Sequence, residues 1–401
     1  MKYVILLGDG MSDWPVPELA DKTPLQAAYT PHMDTLARHG KTGQAMTIPE
    51  GMSTGSDVAA LTILGYDTRH LYTGRSPLEA ASIGIQLQPT DVAFRCNLVV
   101  LGEADGQRTM ADFSGGHITT EEARQLIDIL NDELGNDAFH FYPGVSYRHC
   151  LVWRDGRLGT KLTPPHDITG RAIAEYLPSG DGAVELQRMM DASQAIFREH
   201  PLNEQRRKHG EPPISSIWLW GAGKRPHIPS FGDKYGLTGA VISAVDLHKG
   251  LAIYAGLEPI DVPGATGWLD TNYAGKVEHA LKALQDKDFV FLHVEAPDEA
   301  GHQGDVKAKV QAIEDFDAKV VGPMLEGLQQ RFEAYRILLL PDHPTPIALK
   351  THVREPVPIV LYGTGVEPDA GQTFDESVRE KGSLDVQQGT ELMRLLLGAE
   401  S

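Results

Sequence analysis

The sequence predicts an α/β protein with a doubly wound, mostly parallel sheet covered by helices on both faces, plus a smaller inserted α+β domain. Three observations predict it. Short apolar runs rich in β-branched and aromatic residues, such as Phe289-Val290-Phe291-Leu292, read as strands buried on both faces. Helical segments alternate with these runs along the chain, which calls for parallel strands joined by right-handed crossovers. Several runs then give way to an acid or an imidazole, at the carboxyl edge where open sheets bind ligands. With 401 residues, 41% hydrophobic and 23% charged, the chain is long enough for one large domain and a smaller one.

The formal net charge of −19 excludes nucleic acid and anionic membrane as partners, because no basic field would attract phosphate backbone or headgroups. A small anionic substrate would need a local cluster of Arg and Lys inside this acidic shell. Cys96 and Cys150 are too few for a disulfide framework and read as small core residues in a reducing compartment. The apolar run Val4-Ile5-Leu6-Leu7 is too short for a secretion signal, and no stretch approaches membrane-spanning length. These features place the protein in the cytoplasm.

In chain order, Lys2 to Leu7 is a strand that ends in Gly8-Asp9-Gly10, a tight turn that keeps backbone clear of whatever the carboxylate holds. GDGMSD lacks the third glycine of a dinucleotide fingerprint, since Asp13 stands there. Gly221-Ala222-Gly223-Lys224 fails as a Walker A loop, with Trp218 in place of the first glycine and Arg225 in place of Ser or Thr. Residues 30–40 have the helical spacing of Met33, Leu36 and Ala37 and a glycine stop. A second strand leads to a loop from Glu50 with two glycines and three hydroxyl residues. It runs into an apolar helix at Ser56, where backbone N–H groups and the dipole favour an alkoxide or a phosphate ester. The same serine also reads as a plain N-cap.

Beyond the Phe289 strand come Pro297, Asp298 and, four residues further on, His302: half of a metal site, or an N-cap acid and a surface imidazole. Arg336 to Leu340 repeats the pattern with Pro341-Asp342-His343-Pro344, and His352 follows before the strand Val357 to Tyr362. Three strand ends thus deliver Asp9, Asp298 with His302, and Asp342 with His343, while loops deliver His352 and Ser56. So many acids and imidazoles at strand exits point to one convergent site.

At LLGDGM (Leu6 to Met11), TGSDVAALTILGYD (Thr54 to Asp67), YTGRSPLEAASIG (Tyr72 to Gly84), PDEAGH (Pro297 to His302) and LPDHPTP (Leu340 to Pro346), the chain resembles the cofactor-independent phosphoglycerate mutases of the archaeal type, within the alkaline phosphatase superfamily. The resemblance extends over the whole chain. It implies an alkaline-phosphatase-like core in which Asp298, His302 and His352 hold one divalent ion and Asp9, Ser56, Asp342 and His343 hold a second. It also implies that Ser56 is the nucleophile that interconverts 3-phosphoglycerate and 2-phosphoglycerate through a phosphoserine, with no 2,3-bisphosphoglycerate. Mixed carboxylate and imidazole donors without thiolate favour Mn²⁺, with Zn²⁺ or Mg²⁺ as alternatives. The substrate is then a small phosphorylated anion. A phosphatase or a homoserine kinase-like phosphotransferase would share the fold and the ions, although no Walker or kinase glycine loop supports ATP use. A purely metal-binding protein would have no need of the serine.

The reading assigns residues 1–112 and 182–401 to the metal-binding core and 113–181 to an inserted substrate-binding lid domain. Gly115-Gly116-His117 resembles a family segment whose His contacts substrate phosphate; it also reads as the loop before the helix Thr119 to Leu134. The strand Tyr147 to Trp153 carries Arg148, and the loop Pro164 to Arg171 carries His166 and Asp167. A guanidinium suits bidentate carboxylate or phosphate binding, and the acid suits proton transfer between two hydroxyls. Lys224, behind two glycines at the end of the strand from Ile217, can reach a phosphate as a point charge. The polar stretch Asn203 to Pro213 reads as a surface loop. Leu186 to His200, Val245 to Ala255, Tyr273 to Gln285 and Lys307 to Gln329 read as helices, and Gly239 to Ser243 as a strand.

Overall fold

The computed structural model describes residues 1–398. The chain divides into two compact units, one formed by Met1–Tyr72 with the chain from His227 onward, the other by Thr73–Pro226. In the first unit eight strands form one sheet in the order Glu258–Ile260, Gly239–Ile242, Phe289–Val294, Lys2–Gly8, Tyr335–Leu340, Val357–Gly363, Lys41–Ala45, Leu384–Val386. All neighbours run parallel except Val357–Gly363, which is antiparallel to both of its partners. This is the doubly wound, mostly parallel sheet that the strand and helix alternation predicts.

Alternate side chains of the central strands enter two separate cores, as the pleat requires. Val4, Leu6, Val290, Leu292, Ile337 and Leu339 pack against the helices Pro31–His39, Tyr273–Asp286, Val306–Phe316 and Gly322–Arg331. Ile5, Leu7, Phe289, Phe291, Leu338 and Leu340 pack against Ser56–Ile63, Asp246–Tyr254 and Leu392–Leu397. Burial on both faces explains why these strands are apolar throughout rather than alternating. Among the described residues no helix is long and apolar enough to cross a membrane.

The second unit is an antiparallel sheet built on the strand Val92–Ala104. That strand pairs with Gln107–Asp112, Arg148–Trp153 and Ser216–Lys224, while Phe139–Val145 extends the sheet beyond Arg148–Trp153. Helices Thr120–Leu134 and Ala183–Glu199 cover its core. The insertion is therefore wider than residues 113–181. It begins at Thr73 and ends at Pro226, because the central strand Val92–Ala104 and the strands Gln107–Asp112 and Ser216–Lys224 lie outside the expected limits yet belong to the same sheet as Arg148–Trp153 and Phe139–Val145.

Two further expectations are corrected. Residues 203–213 are not a polar surface loop: Pro201–Lys208 is a helix, and Asn203 and Arg206 are buried. The Asn203 amide donates to the carbonyls of Phe197 and Ile214 at 2.7 Å each and accepts from the Ile214 N–H at 2.8 Å, so polar residues serve an interior hydrogen-bond network. Nor is Lys307 to Gln329 one regular helix. A π-helical turn at Asp317–Val321 separates Val306–Phe316 from Gly322–Arg331, next to Pro323, which has no N–H to donate into the preceding turn. Replacing Asn203→Leu strips three backbone groups of their partner and should cost the second unit about 2–4 kcal/mol. Urea titration followed by tryptophan fluorescence of Trp153, Trp218 and Trp220 measures this, and a loss below about 0.5 kcal/mol would contradict it.

Candidate active site

Strand register places the first ligands side by side. Leu7 lies opposite Leu340 and Gly8 opposite Val294, so the chain leaves the sheet at Asp9, Glu295 and Asp342 at one level. Asp9 and Asp342 are fully buried. Gly10 turns the chain with φ of +59°, and its N–H donates to Asp342 Oδ1 at 3.1 Å. A Cβ there would stand 2.6 Å from both Asp298 Oδ1 and Thr345 Oγ1, so only glycine fits.

The helix Ala296–Gln303 carries Asp298 in its first turn and His302 in its last, four residues apart and on one face. His302 Nε2 is 3.1 Å from Asp298 Oδ2 and 2.8 Å from His352 Nε2, and His352 Nε2 is 3.3 Å from Asp298 Oδ1. The other ring nitrogen of each histidine faces a carbonyl: Nδ1 of His302 meets Lys350 O at 3.0 Å and Nδ1 of His352 meets Thr54 O at 2.7 Å. A carbonyl only accepts, so both Nδ1 atoms carry hydrogen and both Nε2 atoms face the site, where they can ligate once deprotonated. His343, from the loop after Tyr335–Leu340, stacks on His352 with ring centres 3.9 Å apart. Ser56 is the first residue of its helix, behind Gly55 at the cap. Its Oγ makes no capping bond and instead lies 3.2 Å from His343 Nε2.

All seven residues expected at the metal centre therefore converge. Of three donor sets whose atoms lie within 4.8 Å of one another, two fall among these residues: Asp298 with His352 and His343, where His302 was expected, and Asp9 with Asp342 and His343. The electrostatics say what the cluster is built for. Burial, then the neighbouring Asp342 and Asp298, push the Asp9 carboxyl well above the usual carboxylate range. Burial also opposes ionisation of Asp298, but His302 and His352 outweigh it and hold that carboxyl well below its ordinary value. His302 is correspondingly raised to about 9, its partner Asp298 overcoming burial, and His352 is raised in the same way. Burial pulls His343 down to about 4 against the pull of Asp342, so it stays neutral and able to ligate. Asp9 Oδ1 and Asp342 Oδ2 are buried and have no hydrogen-bond partner among the described residues. Orphaned buried carboxylate oxygens beside imidazole lone pairs fit divalent cations, which would supply the missing bonds and charge.

In the second unit, His117, Arg148 and His166 belong to one aromatic and cationic constellation. His117 and Phe113 pack edge-on to Tyr147, Arg148 lies over the Tyr147 ring, and His166 sits between Phe113 and Trp220. Asp167 Oδ1 is 3.7 Å from His166 Nε2. Lys224 ends its strand beyond Trp220, opposite Val92. Arg95, which the sequence reading missed, is buried, stacks 4.3 Å over Trp220 and pairs with Glu79 at 3.0 Å. Arg75 pairs with the same carboxylate at 2.8 Å. Burial works against the Glu79 anion, yet Arg95, Arg75 and Arg148 together hold its pKa below normal. Three guanidinium groups around one carboxylate leave a positive surplus. An acidic chain would need such a local cationic cluster around a small anionic ligand. The arginine and glutamate spacing in GRSPLE was its only sequence trace.

His293, Glu295 and Thr345 were also missed. Thr345 Oγ1 donates to Asp298 Oδ1 at 2.5 Å and lies 3.3 Å from His343 Nδ1. A buried Lys309 holds that loop by donating to Thr345 O at 2.8 Å and to Asp13 Oδ2 at 2.7 Å. An imidazole inside an otherwise apolar strand was the available signal for His293.

A buried, cation-ready cluster at the carboxyl edge of a doubly wound sheet, with a serine hydroxyl at its rim, defines a metal-using α/β protein of the phosphoryl-transfer type. A profile described as 2,3-bisphosphoglycerate-independent phosphoglycerate mutase matches residues 37–203. A probable 2,3-bisphosphoglycerate-independent phosphoglycerate mutase of Geobacter sulfurreducens is 55% identical over 99% of this chain and 100% of its own. The enzyme of that name from Methanosarcina barkeri is 51% identical over 100% of both chains. Among solved structures, a protein from Pyrococcus horikoshii aligns with a TM-score of 0.84 at 32% identity, covering 99% of this chain and 96% of that one. The cofactor-independent phosphoglycerate mutase of Thermoplasma acidophilum aligns with a TM-score of 0.66 at 30% identity over 99% of each. The chain belongs to the 2,3-bisphosphoglycerate-independent phosphoglycerate mutases, a family of isomerases that uses divalent metal and no bisphosphoglycerate.

Two outcomes follow from the geometry. Protons on His302 and His352 compete with a cation, so apparent metal affinity should rise from pH 6 to pH 9, the pKa of His302, with protons released on binding. Calorimetry in buffers of different ionisation enthalpy measures both, and an affinity flat across that range would contradict the ligand assignment. Gly10→Ala should lower metal affinity by at least about 10-fold, since its Cβ collides with the Asp298 carboxylate.

Proposed function

We propose that this chain interconverts 3-phosphoglycerate and 2-phosphoglycerate through a phosphoserine at Ser56. The observation that carries the reading is the Ser56 hydroxyl set 3.2 Å from His343 within the convergent carboxylate and imidazole cluster. In this reading one divalent ion is held by Asp298, His302 and His352, and its neighbour by Asp9, Ser56, Asp342 and His343; Mn²⁺ suits the donors best. When bound, the ions acidify the serine hydroxyl and neutralise charge developing on the phosphoryl oxygens.

The chain's own groups supply the rest. Ser56 Oγ bonds to phosphorus as the bond from phosphorus to O3 of the substrate breaks, giving phosphoserine and glycerate. The proton that leaves Ser56 ends on O3. Glycerate then presents its 2-hydroxyl, O2 bonds to phosphorus as the Ser56 Oγ–phosphorus bond breaks, and the proton from O2 returns to the serine. Asp167, beside His166, is the candidate carrier of that proton. The second unit acts as the substrate-binding lid. Arg75, Arg95 and Arg148 supply the cationic surplus for the phosphate or carboxylate of the substrate, with His117 and Lys224 as further phosphate contacts. Sequestration matters because water attacking the phosphoserine would turn the mutase into a phosphatase. The buried thiols Cys96 and Cys150 fit a cytoplasmic setting.

Phosphorus NMR of Mn²⁺-loaded protein given 3-phosphoglycerate should reveal 2-phosphoglycerate. Ser56→Ala should reduce that conversion at least about 10³-fold while its fold persists. Accumulating free phosphate, phosphohomoserine from ATP and homoserine, or a Ser56→Ala protein within tenfold of the original would each refute the proposal.

A further inference from the structure

Behind Asp9, on the side away from Asp342, lies a third group of convergent donors: Asp9, His293 and Glu295. We infer that this group is not a third cation site but a positioning device, in which His293 fixes the Asp9 carboxylate for its ion and the ammonium of Lys276 offsets the charge of Glu295. The inference rests on the two-cation reading above and goes beyond it.

The hydrogen-bond chain has one direction. The Asp9 carboxylate only accepts, so the ring hydrogen of His293 sits on Nε2, and Nδ1 accepts from the Ser243 hydroxyl at 3.0 Å while Ser243 Oγ accepts from the Val245 N–H, also at 3.0 Å. Nε2 of His293 donates to Asp9 Oδ2 at 2.7 Å. All three side chains are buried, and His248 lies against the imidazole with ring centres 4.0 Å apart, which fixes its plane. One Asp9 oxygen is thereby occupied. The other, Oδ1, is left facing His343 at 3.8 Å, on the side of the ligand pair.

A cation bound at Nε2 would have to reverse this chain. It would place a hydrogen on Nδ1 and leave the Ser243 hydroxyl without its acceptor. On the opposite face of the strand lies Lys276, fully buried, whose Nζ donates to the His293 carbonyl at 2.8 Å. Burial lowers this amine to about 8, opposed by Glu295, so it is still charged at neutral pH and already compensates that carboxylate. A fixed ammonium repels a divalent ion in a low-dielectric pocket.

The test is metal stoichiometry and affinity on the full chain, by elemental analysis after dialysis against Mn²⁺ and by chelator competition. The original protein should hold two ions. His293→Ala should weaken one of them about 10- to 100-fold and leave the other within about threefold. His293→Gln, whose amide N–H can reach the Nε2 position, should restore most of that affinity, whereas a merely structural role would make the two variants alike. If His293→Ala does not fold, Ser243→Ala keeps the ring, removes its Nδ1 partner and should weaken the same ion. Three ions on the original chain, or equal affinities in His293→Ala and His293→Gln, would overturn the inference. Fewer than two ions on the original chain would instead bring down the two-cation reading itself.

Discussion

Like charges forced together at adjacent strand ends are the constraint on which the rest of this structure depends. The parallel register of Lys2–Gly8 with its two neighbours brings Asp9 and Asp342 out of the sheet beside each other, in a place that water does not reach. Buried carboxylates this close cannot all ionise without a cation, which is why Asp9 is pushed towards its neutral form by burial and by its acidic neighbours. The fold tolerates the arrangement because folding energy comes from elsewhere. Two apolar cores sandwich the sheet and hold the strand ends in place.

Each candidate ligand is then fixed by a second layer of bonds. Carbonyls of Lys350 and Thr54 set the tautomers of His302 and His352, the Thr345 hydroxyl pins Asp298, and the Gly10 N–H and the Thr47 hydroxyl tie down Asp342 and its loop. The Lys309 and Asp13 pair buried beneath these loops anchors two of them at once. Such support is what turns a set of loop side chains into a site of defined geometry, since an unsupported imidazole or carboxylate samples several rotamers.

The charge plan of the molecule is divided in the same way. A chain of net charge −19 repels a phosphorylated anion in general, yet the second unit gathers Arg75, Arg95 and Arg148 around the single carboxylate of Glu79. Stacking of Arg95 on Trp220 and the placing of His166 against the same ring give these cations a rigid platform. Attraction of an anion would thus be local, within an otherwise acidic molecule.

The sequence alone determined the sheet class, the six acids and imidazoles with their serine, and the family. Strand interiors buried on both faces must be apolar, and the residues just past them are freed to carry chemistry, so both signals are local and survive in one dimension. Pairing across the sheet is not local. The true span of the inserted unit depended on Val92–Ala104 finding Arg148–Trp153 and Ser216–Lys224, and no run length or turn signal encodes which strand meets which. The interior role of Asn203 in a polar stretch, the Arg75, Glu79 and Arg95 cluster, and His293 behind Asp9 were likewise decided by tertiary structure. A polar side chain shows its partner only when the chain has brought that partner to it from far along the sequence.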